Sequence, residues 1–211
     1  MDSLIYTLFV AIFVPILLMT CLVEKKSRQP LIFVLIGIFL SVLASEINAY
    51  LCNILSMSTF EATGILTPIS EEILKAFPIL LFATMLKPKK EALFTASMAI
   101  GIGFAVLENA YYLLNSNTFN MIDAIIRAFG AGLMHGMCTL LVGVGISFVR
   151  KKSKLFVVGT FALLSTAITY HSIYNMLVQS DYDIVAYLLP IATYIPFVVW
   201  RVKKTKKNKK S

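Results

Sequence analysis

Seven apolar stretches govern what this chain can become: residues 4–23, 31–55, 64–86, 92–114, 121–149, 155–178 and 184–200. Each is near or above the ~20 residues that a helix needs to cross the hydrocarbon layer of a bilayer. Backbone groups in lipid must satisfy one another, so runs of this length fold as helices. The expected fold is all-α, a polytopic integral membrane protein of about seven transmembrane helices over residues 1–200, with a basic tail over 201–211. The fifth stretch exceeds the bilayer's thickness and should tilt or protrude. Composition agrees: 58% of residues are hydrophobic and only 14% charged, against about 25% charged in soluble domains.

The net charge of +8 would suit nucleic acid were it spread over a surface, but the basic residues are clustered between apolar runs. Lys25, Lys26 and Arg28 follow the first span, and Lys87, Lys89 and Lys90 the third. Arg150, Lys151, Lys152 and Lys154 follow the fifth, and Arg201 with six lysines follows the last. These are seventeen of the nineteen basic residues, and the connections on the other side hold none. Cytoplasmic loops are enriched in Lys and Arg, so the amino terminus is expected outside and the carboxyl terminus in the cytoplasm. The pattern points to a lipid bilayer as the chain's surroundings and excludes nucleic acid as its partner. The tail reads as a disordered basic end. The first span lacks a basic leader and has too long an apolar core for a secretory signal, so it reads as retained. Cys21, Cys52 and Cys138 are an odd, scattered set with no disulfide framework.

Within the apolar runs a few polar residues stand out. Ser70-Glu71-Glu72-Ile73-Leu74-Lys75 places two carboxylates and a lysine in about one helical turn. Each such charge costs at least ~2.5–3.5 kcal/mol at bilayer depth, so it marks function or a structural pairing. Glu108-Asn109 on the fourth span, His135 on the fifth with Arg127 upstream, and His171 with Asn175 on the sixth are the other candidates. At 1.5 Å per residue, Glu71 and Glu72 lie about 11 Å below the outer edge and Glu108 about 9 Å, with His171 at similar depth. His135 joins this layer if its long span protrudes. Glu71 and Lys75, Phe104 and Glu108, and His171 and Asn175 each share a helix face.

Adjacent Glu71 and Glu72 differ by about 100° around the helix, so both should not point at one atom. One is expected to face the site and the other to take a supporting contact from Lys75 or Arg127. Pro68 and Pro78 should loosen or kink the helix around the pair. Gly130, Gly132 and Gly136 are expected to let helices approach closely around His135. Glu46 and Asn48 read as packing residues, and Tyr111, Tyr112, Tyr170 and Trp200 as interfacial anchors.

These side chains suit water activation. A glutamate beside a neutral histidine can take a proton from water and return it to a leaving amine. Glu108, His135 and His171 could instead hold zinc with a position open to water. Both routes stay open. Asn175 could donate a hydrogen bond to the oxyanion formed at a peptide carbonyl. Intramembrane carboxylates also mark ion paths, so a proton- or cation-coupled transporter is an alternative, set against the lack of internal repeats. A non-catalytic immunity or interaction protein on the same scaffold is another.

At four blocks the chain resembles the PrsW-type intramembrane proteases, a branch of the CAAX prenyl endopeptidase/Abi superfamily. They are Glu71-Glu72-Ile73-Leu74-Lys75 (EExxK), Gly101 to Asn109 (GxGFAxxEN), Arg127 to His135-Gly136, and His171-Ser172-Ile173-Tyr174-Asn175 (HxxxN). They run in order on separate spans. The resemblance implies hydrolysis of a peptide bond in or beside the membrane of a bacterial cell, with Glu71 as base and Glu72 in support. Glu108 stands where CAAX-type relatives carry a histidine. PrsW-like members are associated with the first cut in membrane-bound anti-sigma factors, so the implied substrate is a single-span membrane protein cut near its outer juxtamembrane region. Catalytic candidates are thus Glu71, Glu72, Glu108, His135, His171 and Asn175, supported by Lys75, Arg127 and Asn109.

Overall fold

The structure is a computed structural model describing residues 3–115, 121–149 and 153–208. Seven long helical rods run through it: α1 (Ser3–Leu22), α2 (Lys25–Leu55), a composite third rod, α5 (Lys90–Asn115), α6 (Met121–Val149), α7 (Ser153–Val178) and α8 (Asp183–Asn208). The described residues contain no strand. Five rods are long and apolar enough to cross a membrane by length and composition. The other two differ for plain reasons. The third carries Glu71, Glu72 and Lys75, and α8 is apolar only over Ile184–Pro196. Large apolar side chains such as Phe161, Val157 and Phe129 lie exposed on the outer faces. A surface so rich in apolar groups suits lipid.

The third rod has an unusual build. A short turn, α3 (Thr59–Glu61), leads into a π-helical turn (Ala62–Leu66), then α4 (Thr67–Leu81) and a second π turn (Phe82–Leu86). Ser58 and Glu61 form a capping box that opens the rod: the Ser58 backbone N–H donates to Glu61 and the Glu61 N–H to Ser58 Oγ. The first π turn is closed by the Thr67 N–H bonding Ala62 O. Its next bond would reach Thr63 O from residue 68, but that residue is proline and has no N–H. Thr67 Oγ1 (3.0 Å) and Asn175 Nδ2 (2.9 Å) donate to Thr63 O instead. The loosening expected around Pro68 and Pro78 takes this form, wide turns at both ends of α4.

Helices α5 and α6 are the most buried and α1 and α7 the most peripheral. Close packing at the centre depends on glycines other than those expected. A side chain at Gly101 would run into the His135 carbonyl on α6, and one at Gly103 into the Val34 carbonyl on α2. Gly37 meets Ile100 in the same way. Of the predicted trio, only Gly130 is crowded, by Tyr187 and Tyr174; Gly136 makes ordinary contacts and Gly132 has nothing nearby. The tail differs from its reading as disordered, since α8 continues to Asn208. Lysine is a good helix former and nothing breaks the run. All three cysteines are free. Arg28 closes the end of α1 by donating to Val23 O and Cys21 O.

Candidate active site

The four polar blocks meet. Lys75, fully buried, donates to Glu72 Oε1 at 2.6 Å and to His135 Nδ1 at 2.8 Å. Its Nζ also lies 3.9 Å from Glu71 Oε2 and 4.4 Å from the Phe104 ring centroid. Lys75 thus bonds Glu72 and only flanks Glu71, the division expected from the 100° separation of the two glutamates, although both carboxylates lie within 4 Å of the ammonium. Lys75 follows Glu71 by four residues and Glu72 by three, so its side chain stands between the two. A buried ammonium is tolerable only with such partners.

Hydrogen-bond accounting fixes how the imidazoles point. His135 Nδ1 accepts from Lys75, leaving the Nε2–H to donate to Glu108 Oε2 at 2.5 Å. His171 Nδ1–H donates to Glu72 Oε1 at 2.9 Å, which leaves Nε2 with a free lone pair. That Nε2 is 3.9 Å from Glu71 Oε2. The two imidazoles stand edge to face, centroids 4.8 Å apart, and Phe104 packs on His135 at 5.1 Å. The side chains of Glu72, His135 and His171 are almost wholly enclosed.

Glu71 differs from Glu72 in what it faces. It lines a cavity of about 270 Å³ together with Glu108, His135, Arg127, Tyr112 and Asn175. Glu72 does not line it and holds Lys75 and His171. Asn175 borders the cavity, but its Nδ2 is bonded to Thr63 O and so ties α7 to the π turn. Arg127 makes no ion pair with either glutamate; its guanidinium lies 4.0 Å over the Tyr112 ring, with Nε buried and unpartnered. Asn109 is buried beside Glu108 with its Oδ1 unpartnered, outside the cavity.

Several participants escaped the sequence reading. Tyr112, read as an interfacial anchor, forms the cavity wall under Arg127, and Tyr111 lines a second, smaller cavity. Their place on the face of Glu108, three and four residues on, was the available signal. Tyr170 bonds Thr193, and the Trp200 side chain lies outside the described residues. Glu46 accepts from Tyr6 at 2.7 Å, while Asn48 accepts a short bond from Ser70, the neighbour of Glu71.

A multi-pass helical bundle enclosing carboxylates, imidazoles and a cavity at mid-helix is a membrane protein built for chemistry among its spans. A family model described as PrsW family intramembrane metalloprotease matches residues 25–201. The chain belongs to that family and is an intramembrane protease. No curated protein and no solved structure matches it. A membrane-embedded protease takes a membrane protein as substrate and works in a lipid bilayer.

The family description implies a metal; Glu71 Oε2 and His171 Nε2 have lone pairs to give one, while His135 would ligate on giving up its bond to Lys75 or to Glu108. Glu71 Oε2 is buried with no hydrogen-bond partner. One atom each from Glu71, His135 and His171 lie within 4.8 Å of one another. Two imidazole nitrogens and a carboxylate oxygen are a recognised donor set for a catalytic divalent ion. The converging carboxylate is Glu71, where the sequence reading placed Glu108; Glu108 instead holds His135 Nε2.

Proposed function

We propose that the chain hydrolyses a peptide bond of a single-span bacterial membrane protein, of the anti-sigma-factor type, near the outer side of the cell membrane. The observation that carries this reading is Glu71: a buried carboxylate with one oxygen unspent, at the wall of an open cavity and beside a histidine nitrogen with a free lone pair. Glu71 takes a proton from water as its oxygen bonds to the substrate's carbonyl carbon. The carbon–nitrogen bond then breaks, and the same carboxyl returns the proton to the leaving amine. Glu72 orients His171, and Lys75 with Glu108 orients His135, the arrangement by which outer partners aim functional imidazoles. Arg127 lines the cavity, where its guanidinium can donate to a substrate carbonyl, whereas Asn175 spends an Nδ2–H on Thr63.

Glu71 through Oε2, His171 through Nε2 and, on giving up its bond to Lys75 or Glu108, His135 would hold the metal, with zinc the ion their chemistry suits, which leaves the other Glu71 oxygen for the proton transfer. When bound, such an ion supplies Lewis acidity that makes water nucleophilic at neutral pH. The test uses the protein reconstituted in liposomes with a tagged single-span substrate. Glu71→Gln should lower cleavage by about 10²–10⁴-fold, the range for a lost general base. Undiminished cleavage would overturn the assignment. Metal content of purified protein should be stoichiometric, and absent in the His135→Ala/His171→Ala variant.

A further inference from the structure

Glu71 and Glu108 border two cavities. The larger lies toward α6 and α7, where Arg127, His135 and Asn175 stand. The smaller, about 140 Å³, lies on the opposite side, against α1 and α2, and is lined by Ser41, Ser45, Asn48, Phe104 and Tyr111. Thr67, Glu71, Glu108 and Tyr112 belong to both and form the partition. We propose that the smaller chamber is a water-binding site that supplies the hydrolytic water to Glu71 from the side opposite the substrate. The inference rests on the proteolytic reading above.

Three observations support it. The first is chemical: hydroxyl and amide groups facing a space at bilayer depth need partners that lipid cannot give. Ser41 and Asn48 are largely buried, so those partners must come from within the chamber or its walls. The second is size. At about 30 Å³ per water the chamber has room for roughly four, each with several polar neighbours. The third is linkage to the reacting group. Asn48 accepts a hydrogen bond from Ser70 Oγ, and Ser70 also donates to Thr67 O at 3.0 Å. That pairing turns the Asn48 Oδ1 toward the helix of Glu71 and leaves its amide donors for water. Each turnover consumes one water, and a substrate seated in the larger cavity displaces the solvent there. A separate polar chamber reaching the same carboxylate resolves that conflict.

The inference is tested by X-ray radiolytic footprinting in ¹⁸O-labelled water, which oxidises side chains beside bound water. Phe104 and Tyr111 line only the smaller chamber, and Phe33 is similarly buried but lines neither cavity. Label should enter Phe104 and Tyr111 about tenfold faster than Phe33, because only they adjoin a wet space. Ser45→Leu, which fills the chamber, should remove the Phe104 label while leaving that of Tyr112. It should also lower kcat by about tenfold with KM and the bond cut unchanged. Phe104 labelled no faster than Phe33 would overturn the inference, as would a Ser45→Leu variant that cuts a different bond, since the space would then hold a substrate side chain. The footprint is read without substrate. A dry chamber in an active protease sinks this inference alone, and a wet chamber in an inert protein sinks the proteolytic reading and with it the role given to the water, leaving the water-binding site itself.

Discussion

Lys75 is enclosed on all sides and has three N–H bonds to direct. Two go to Glu72 and His135, and the third lies toward Glu71 and the face of Phe104. Taking the ammonium away strands the Glu72 carboxylate in an apolar interior. Lys75→Met should therefore lower stability by about 3–5 kcal/mol, the cost of breaking a buried pair by removing one partner. Adding Glu72→Gln should restore most of it, because the stranded charge is gone and the amide oxygen still accepts from His171. Thermal unfolding in lipid nanodiscs reads both; equal losses in the single and double variants would mean that the pair is not what Lys75 stabilises. Part of this was legible beforehand, since Lys75 lies four residues after Glu71 and three after Glu72. The bond from Lys75 to a histidine sixty residues later was not, because helical spacing says nothing about which helix lies alongside. The tie from Asn175 to Thr63 O was hidden for a related reason. The carbonyl it serves is orphaned by Pro68 following a π turn, and the turn has no periodic signature.

At the scale of elements, α5 fits between α2 and α6 through bare backbone at Gly101 and Gly103. The GxG pattern had no phosphate-binding context, and its use is close approach. A methyl group at Gly101 would meet the His135 carbonyl, so α6 must shift and carry the imidazole away from Lys75 and Glu108. Gly101→Ala should reduce cleavage by about 10²-fold, as misplacement of a functional group by an ångström does. Gly132→Ala meets nothing and should cleave normally. Comparable losses in both variants would show that helix propensity rather than packing is at work. The entry to the third rod has its own pH dependence. Ser58 hydrogen bonds, first from its hydroxyl and then from its backbone, hold the Glu61 carboxyl below the usual range. The capping contribution is thus complete above the ordinary carboxylate value and lost as pH falls through the lowered one. Hydrogen exchange over residues 59–66 should accelerate across that window, and Ser58→Ala should abolish the dependence.

For the whole molecule, the long apolar runs made the rods legible, and their charge pattern carries one further consequence. Thr59, Val178 and Gln179 line the larger cavity, so its mouth lies at the end of the bundle where α2 joins α3 and α7 joins α8. Those connections, residues 56–58 and 179–182, contain no lysine or arginine, whereas the basic clusters follow α1, the third rod, α6 and the last apolar run. By the preference of basic loops for the cytoplasm, the cavity is expected to open outward, the side on which we propose the substrate is cut. A chain with Cys21, Cys52 and Cys138 replaced allows single cysteines to report this. Ser58→Cys should react with a membrane-impermeant maleimide in intact cells, and Lys89→Cys only after the membrane is permeabilised. The reverse pattern would turn the cavity toward the cytoplasm and move the cut to that side, leaving the cluster's chemistry as described but excluding an outer juxtamembrane segment as its substrate.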